Sequence, residues 1–298
     1  MLIHITFAER KSFLVLRNVS MRHEFLLHDH PKIKMISYFG GKSYLANWII
    51  CHFPEKYQQQ TYCEVFGGGG WVLFKKEPSK IEVYNDLNQD LVNLFRVIRD
   101  NYKQFAHRAN WSMHSRAMFD EAIEKLKNDQ FLSETERAVF YALRQVQSFS
   151  GTGTHWTYRL SSHHSFSGKW LPFLKRMELI NARLKKVQIE CLDFEEVIKK
   201  YDSRTTLFYL DPPYVDTERY YNSNNVEFKK EDHFRLVRIL KRIKGKFVLS
   251  YYEHKFVRAN YKQYSILSKN MPKYSINSSR NTGIKTKPTG KELLIKNF

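Results

Sequence analysis

The sequence Thr205-Thr206-Leu207-Phe208-Tyr209-Leu210-Asp211-Pro212-Pro213-Tyr214 decides the fold. Its apolar, strand-forming residues end in a carboxylate, two prolines and an aromatic residue. A buried strand cannot continue through two prolines, because each removes a ladder donor and fixes its own φ. We therefore expect Asp211 at the carboxyl end of a sheet strand, where open α/β sheets bind their ligands. A proline-rich turn without function is the alternative for this segment taken alone.

The composition favours a folded protein with a polyanionic partner. The 298 residues are 42% hydrophobic, which suits one large α/β domain or two modest ones. Lys and Arg outnumber Asp and Glu by 49 to 30, and the net charge of +19 favours a nucleic acid, with a Lys-rich solvated surface as the alternative. Three cysteines without metal-binding spacing (Cys51, Cys63, Cys191) predict free thiols, a reducing compartment and no metal site.

The amino-terminal residues 1–32 show no sustained periodicity and are predicted to be an extension of the folded domain. They lack the features of a signal peptide, and translation from Met21 or Met35 is an alternative start. No run approaches the roughly 18 to 20 apolar residues that a membrane span needs. We therefore expect a cytoplasmic protein without a membrane partner.

Two glycine-rich turns come early in the chain. Gly40-Gly41-Lys42-Ser43 resembles part of a P-loop, but that motif needs an earlier glycine where this chain has Ile36, so an NTPase is rejected. Thr61 to Phe66 is a predicted strand, and Gly67 to Gly70 then lead into a helix at Trp71. Strand, glycine turn and helix form the nucleoside loop of a Rossmann-like sheet.

An acidic residue follows the second glycine turn, at the end of the next predicted strand. Asp86 ends the predicted strand Lys80 to Asp86, 17 residues after Gly69. An acid at the end of the next strand is suitably placed to bind ribose hydroxyls. An amphipathic helix from Asn88 to Arg99 follows. The sequence therefore predicts a nucleoside-containing ligand at this sheet edge.

Residues 101–148 interrupt the α/β alternation with three predicted helices, the last opened by a capping box of Ser133 and Glu136. Two acid-free basic stretches, 149–177 and 269–290, mix cations with aromatic and short polar side chains, which suits contact with phosphates and bases. Ordinary loops with a few buried aromatics are the alternative. The predicted DNA-binding residues are Trp156, Tyr158, Arg159, Lys169, Arg280 and Lys285.

The alternation of helices and strands resumes after residue 186, and the chain is predicted to close with two paired strands, Tyr264 to Leu267 and Glu292 to Ile295.

Four motifs, which follow one another along the chain, resemble those of the Dam-like adenine-specific DNA methyltransferases. They are Tyr38-Phe39-Gly40-Gly41-Lys42, Glu64-Val65-Phe66-Gly67-Gly68-Gly69-Gly70, Tyr84-Asn85-Asp86 and Asp211-Pro212-Pro213-Tyr214. The resemblance covers the chain from about Met35 to Phe298.

The resemblance implies an α/β fold, a Rossmann-like class I methyltransferase sheet with a mainly helical target-recognition insertion. It divides the chain into an extension (1–32), a first catalytic part (33–100), the insertion (101–185) and a second catalytic part (186–298). S-adenosylmethionine is the implied cofactor. Its implied contacts are Tyr38, Lys42, Phe66, Gly67, Asp86 and Asp211, with Lys42 facing its carboxylate and Asp86 its ribose; the implied catalytic residues are Asp211, Pro212, Pro213 and Tyr214.

The implied activity is transfer of a methyl group to the N6 amine of an adenine flipped out of double-stranded DNA. The insertion departs from the segment that reads GATC in Dam itself, so the recognition sequence is not predicted. The alternatives are an inactive DNA-binding protein of the same fold, a cytosine-N4 methyltransferase and an RNA adenine methyltransferase. Asp211 favours adenine over cytosine. We expect a monomer, with a cognate restriction nuclease as a further candidate partner.

Overall fold

The computed structural model describes Ile36 and residues 41–128, 131–148, 151–157, 170–218, 227–272 and 289–298. The extension 1–32 lies outside these residues. A mixed sheet of seven strands, in the order β3-β2-β1-β4-β5-β7-β6, forms the centre of the protein. The strands are β1 (Thr61–Glu64), β2 (Ile81–Asn85), β3 (Val187–Glu190), β4 (Thr206–Leu210), β5 (Lys246–Tyr252), β6 (Ser265–Pro272) and β7 (Thr289–Lys296).

The first five strands are parallel, and β7 pairs antiparallel with both β5 and β6. The order reverses between β1 and β4, which is the topological switch point where such sheets bind ligands. Asp211 directly follows β4 and the glycine turn follows β1, so both motifs lie at this point. The predicted α/β fold and the paired closing strands are confirmed.

Ten α-helices lie within the described residues. They are α1 (Ala46–Ile50), α2 (Trp71–Lys75), α3 (Gln89–Asp100), α4 (Tyr102–Asn110), α5 (Arg116–Asn128), α6 (Glu134–Gln147), α7 (Trp170–Leu184), α8 (Phe194–Tyr201), α9 (Lys230–Leu240) and α10 (Lys255–Tyr261). None of the described helices is long and apolar enough to span a membrane.

The central strands β1 and β4 contribute side chains to two apolar cores, because successive residues of a strand point to opposite faces. Tyr62 and Tyr209 join the core formed with α1 to α7, whereas Cys63 and Phe208 join the core formed with α8 to α10. The near-continuous apolar run of β4 follows from this double burial. Helices therefore cover both faces and leave the carboxyl edge of the parallel strands accessible to a ligand.

The helices α4 to α7 share the first core with the sheet. The predicted capping box at α6 is confirmed, since the Ser133 hydroxyl accepts from the Glu136 amide and the Glu136 carboxylate accepts from the Ser133 amide. The helix α10 was not predicted. It spans only seven residues, and its first-turn cap comes from the His254 ring instead of a typical capping side chain.

A buried ion cluster joins β2 to the helices of the core that is formed with α1 to α7. Glu82 is 1% exposed and accepts hydrogen bonds from the Lys76 ammonium and the Arg183 guanidinium, the latter at 2.7 Å for Nη2 to Oε1. Burial alone would raise the pKa of Glu82, but the bonds from Arg183 and Lys76 outweigh it and hold this pKa below its usual value. Glu82 therefore compensates two buried cations.

We expect the Glu82→Ala variant to lose about 3 to 5 kcal/mol of unfolding free energy, because two buried cations are left without their shared carboxylate. Denaturant unfolding followed by circular dichroism measures this loss. Asp100→Ala is the control, since its pair with Arg99 is exposed and such pairs contribute at most about 1 kcal/mol. Equal losses in the two variants would contradict this account of the cluster.

Candidate functional site

The glycine turn after β1 is held tightly against β2. The Gly67 amide donates to the Asn85 carbonyl at 2.8 Å, and Gly68 and Gly70 adopt φ values of 49° and 66°, which favour glycine. A Cβ at Gly67 would lie 2.2 Å from Cε2 of Tyr84. This close approach to the buried Tyr84 ring requires glycine at position 67.

Asp86 fixes the same turn from the end of β2. Its Oδ2 accepts from the Gly68 amide at 2.7 Å, and its Oδ1 accepts from the Asn88 amide at 2.8 Å. Burial raises the pKa of the Asp86 carboxyl, although both backbone donors favour the charged form. The carboxylate therefore organises the glycine turn, and its role in binding ribose stays a prediction.

The turn after β4 carries a partly buried ion pair. Lys42 Nζ lies 2.9 Å from Oδ1 of Asp211, whose side chain is 17% exposed. Burial raises the pKa of Asp211, whereas the neighbouring ammonium of Lys42 lowers it. The fold thus brings together Lys42 and Asp211, which are far apart in the sequence, and pairs the Asp211 carboxylate with a cation.

Tyr214 lies in the same turn and is buried. Its hydroxyl donates to Glu292 on β7, and the Lys42 ammonium lies 4.6 Å from the centre of its ring. The ring also contacts Tyr252 edge-on, with 4.5 Å between the ring centres. One face of the ring that is predicted to stack on a base therefore carries the Lys42 ammonium in this conformation.

A cleft that is open to solvent joins these features. Six predicted site residues line it: Lys42, Phe66, Gly67, Asp86, Asp211 and Pro213. Pro212 and Tyr214 are buried beside it. Phe66 contacts Phe194 and Phe228, with ring centres 5.6 and 5.9 Å apart, and so forms an aromatic wall.

Several lining residues were not predicted as part of the site. Glu64, at the end of β1, is buried and accepts from the Tyr62 hydroxyl at 2.7 Å, and burial raises its pKa to about 8. Asp193 and Phe194 follow β3, as Asp86 follows β2. Their position after a parallel strand was a usable signal, whereas Phe228 enters from a segment without strand or helix pattern.

Contacts with residues of the helical segment 101–148 determine the position of Trp156. Its ring stacks on His114 at 5.1 Å, the Arg116 guanidinium lies 4.7 Å from its centre, and its Nε1 donates to Gln147. Its contact with DNA stays a prediction. The other predicted residues of this kind, and one cofactor residue, lie outside the described residues: Tyr158, Arg159, Lys169, Arg280, Lys285 and Tyr38.

The known proteins to which this chain is similar include several methyltransferases. The family described as D12 class N6 adenine-specific DNA methyltransferase matches residues 38–273. The type II methyltransferase M1.LlaDCHI of Lactococcus lactis subsp. cremoris is 30% identical over 284 residues, which are 87% of this chain and 93% of that protein. The match thus covers almost the whole relative.

Two further relatives are more distant. The type II methyltransferase M.MjaIII of Methanocaldococcus jannaschii is 24% identical over 88% of this chain and 98% of its own length. The DNA N-6-adenine-methyltransferase of Escherichia phage P1 is 25% identical over 67% of this chain and 27% of its own. The family match includes the glycine turn and the Asp211 turn, and it ends before Glu292.

Proposed function

The chain belongs to the D12 class N6 adenine-specific DNA methyltransferase family, and on that premise we propose that the cleft binds S-adenosylmethionine beside an adenine held at Asp211. The protein is thus an enzyme that methylates the N6 amine of adenine in DNA, and its reaction needs a methyl donor. The single observation that carries the proposal is the cleft itself, which joins the glycine turn and Asp86 to the Asp211 turn.

The residues of the cleft fit S-adenosylmethionine. Gly67, Gly68 and Gly69 line the cleft and offer a ligand a backbone surface without side chains. Asp86, Lys42 and Phe66 line the cleft. In this proposal Asp86 accepts from the ribose hydroxyls, Lys42 supplies a cation for the amino-acid carboxylate, and the Phe66 ring provides an apolar wall. When bound, this cofactor supplies a methyl group on a sulfonium, which is a strong electrophile.

The turn after β4 suits activation of an exocyclic amine. The amine is a poor nucleophile, because its lone pair is delocalised into the purine ring. Asp211 and the Pro212 carbonyl can accept its two hydrogens and favour attack through nitrogen. As the nitrogen–carbon bond forms and the carbon–sulfur bond breaks, the nitrogen becomes cationic. One of its protons then leaves along the bond to Asp211 and passes to solvent.

Positioning and electrostatics supply the rate in this scheme, without a covalent enzyme intermediate. We propose that the adenine leaves the duplex to reach Asp211, since the amine is inaccessible within the stack. Stacking of the base on the ring face of Tyr214 that Lys42 now covers, at 4.6 Å from the ring centre, requires the ammonium to shift. We propose that Lys42 shifts toward the ligand carboxylate while it keeps its contact with Asp211, which is 2.9 Å in this structure.

The DNA duplex is proposed to contact the segment 101–185, which contains Trp156, Tyr158, Arg159 and Lys169, and the stretch 269–290, which contains Arg280 and Lys285. We also propose that the chain divides into the extension (1–32), the first catalytic part (33–100), the insertion (101–185) and the second catalytic part (186–298). The type II relatives support a cognate restriction nuclease as a partner. Three free cysteines support a reducing, cytoplasmic location, and we propose a monomer.

The proposal is tested by incubating the protein with methyl-labelled S-adenosylmethionine and unmethylated DNA, and then identifying the labelled nucleoside by mass spectrometry. We expect all label on N6-methyladenine. Sequencing of the methylated positions gives the recognition sequence. Label on cytosine, or no transfer at any salt concentration although the cofactor binds, would refute the proposed chemistry.

We expect the Asp86→Ala variant to bind S-adenosylmethionine about tenfold to a hundredfold more weakly, since it removes the ribose acceptor and frees the glycine turn. Isothermal titration calorimetry measures the dissociation constant. Asp202→Ala is a matched control, because the Asp202 carboxylate also accepts from two backbone amides, those of Lys244 and Gly245. An unchanged constant in Asp86→Ala would remove the proposed role of Asp86.

A further inference from the structure

Glu292 is a buried carboxylate that the proposed chemistry does not use. It lies on β7, opposite Tyr252 of β5 and Lys269 of β6, and is 2% exposed. The next three residues of the strand are fully buried and apolar. A carboxylate at such a position loses its hydration, and its retention in a core strand needs a compensating interaction.

The compensating interactions lead directly to the Asp211 turn. Glu292 Oε1 accepts from the Tyr214 hydroxyl and lies 3.9 Å from Lys42 Nζ. Lys42 in turn lies 2.9 Å from Asp211. The four side chains Lys42, Asp211, Tyr214 and Glu292 thus form one connected group, which we call the Lys42 cluster. One ammonium is shared by two carboxylates in it.

Among the residues that the structure describes, the other titratable groups around Glu292 do not alter the charge of the cluster near neutral pH. Burial raises the pKa of Tyr44 to about 12, and it also raises the pKa values of Tyr209 and Tyr252, so these hydroxyls stay neutral. Lys269 pairs with Glu292 in register, but its ammonium lies 5.7 Å from the Trp48 ring. The charge of the cluster therefore depends on Lys42, Asp211 and Glu292.

Accepting the roles proposed above for Asp211 and Lys42, we propose that Glu292 is a positioning residue for methyl transfer, which holds Tyr214 and shares Lys42 so that Asp211 retains uncompensated negative charge. With Glu292 ionised, two carboxylates face one ammonium and the cluster carries a net negative charge. That charge favours the amine nitrogen as it becomes cationic. With Glu292 neutral, Lys42 and Asp211 cancel each other.

The ionisation of Glu292 is accessible near neutral pH. Burial raises the pKa of Glu292 to about 7, although Lys42 and the Tyr214 hydroxyl favour the charged form. Because the folded pKa exceeds the unfolded one, the stability contributed by protonated Glu292 is lost as the pH rises through 7. A neutral side chain of the same shape should therefore stabilise the fold above pH 7 while it slows the reaction.

Glu292→Gln tests the proposal, because it keeps the shape and an acceptor for Tyr214 but removes the charge. At pH 8 we expect single-turnover methyl transfer about tenfold slower, with unchanged KM for DNA and a melting temperature at or above that of the wild type. The rise of the wild-type rate through pH 7 should be absent from the variant. Glu292→Asp, which retains the charge, should restore part of the rate.

Three outcomes would overturn the proposal. They are a wild-type rate in Glu292→Gln, an unchanged rise of its rate through pH 7, and a melting temperature at pH 8 well below that of the wild type. The last result would show that the charge serves only stability. If Asp211→Ala abolishes transfer while Glu292→Gln is normal, the role of Asp211 stands and that of Glu292 fails.

Discussion

Methyl transfer is expected to fall by about a hundredfold to a thousandfold in the Asp211→Ala variant, which is the loss typical of removing one preorganised hydrogen-bond partner of a transition state. In the proposed mechanism, the carboxylate accepts from the adenine amine as the nitrogen attacks. Its ion pair with Lys42, at 2.9 Å, favours the charged form of Asp211 in a mostly buried site. Single-turnover transfer to unmethylated DNA, at saturating cofactor, measures the effect.

The same substitution should leave the fold intact. Burial raises the pKa of Asp211, so its charged form opposes folding at neutral pH, and its removal should leave the melting temperature unchanged or higher. Lys42 keeps Glu292 as a partner. Asp120→Ala, an exposed carboxylate on α5, is the control and should transfer at the wild-type rate. A slow Asp211→Ala variant that is also unfolded would not support a catalytic role.

The second large effect is expected for Gly67→Ala, which should weaken S-adenosylmethionine binding by about tenfold to a hundredfold through overpacking. The new Cβ would lie 2.2 Å from the Tyr84 ring. That ring cannot yield easily, because it is fully buried, stacks on Phe95 at 4.1 Å and donates its hydroxyl to the Gly68 carbonyl. The glycine turn must therefore shift, and calorimetric titration measures the lost affinity.

Gly69→Ala provides a graded comparison within the same turn. Its Cβ would lie 3.2 Å from the Ile36 carbonyl and from the Trp71 indole nitrogen, so a shift of a few tenths of an ångström relieves the contact. We expect a smaller loss of affinity than for Gly67→Ala. Equal losses in the two variants would show that the close contact with Tyr84 does not determine the shape of the turn.

The sequence was informative where a local pattern determines position. Asp86 and Asp211 each follow a strand, and parallel strands bring their carboxyl ends to one edge of the sheet, so their convergence was predictable. The capping box of Ser133 and Glu136 was equally local. The glycine turn was recognised because it connects a strand to a helix within ten residues.

Contacts between distant segments were not predictable in the same way. Glu292 meets Tyr214 only because β7 inserts antiparallel between β5 and β6, and no local pattern specifies that register. The pairing of Lys42 with Asp211, rather than with a ligand alone, depends on the same assembly. Trp156 was predicted from composition, which cannot show that Arg116 and His114 cover its ring.

A crystal structure of the protein with S-adenosylmethionine tests the central claim most directly. We predict that the cofactor occupies the cleft between the glycine turn and Asp211, with its ribose at Asp86, its carboxylate at Lys42 and its methyl group facing Asp211. Binding outside this cleft, or a methyl group directed away from Asp211, would contradict the account.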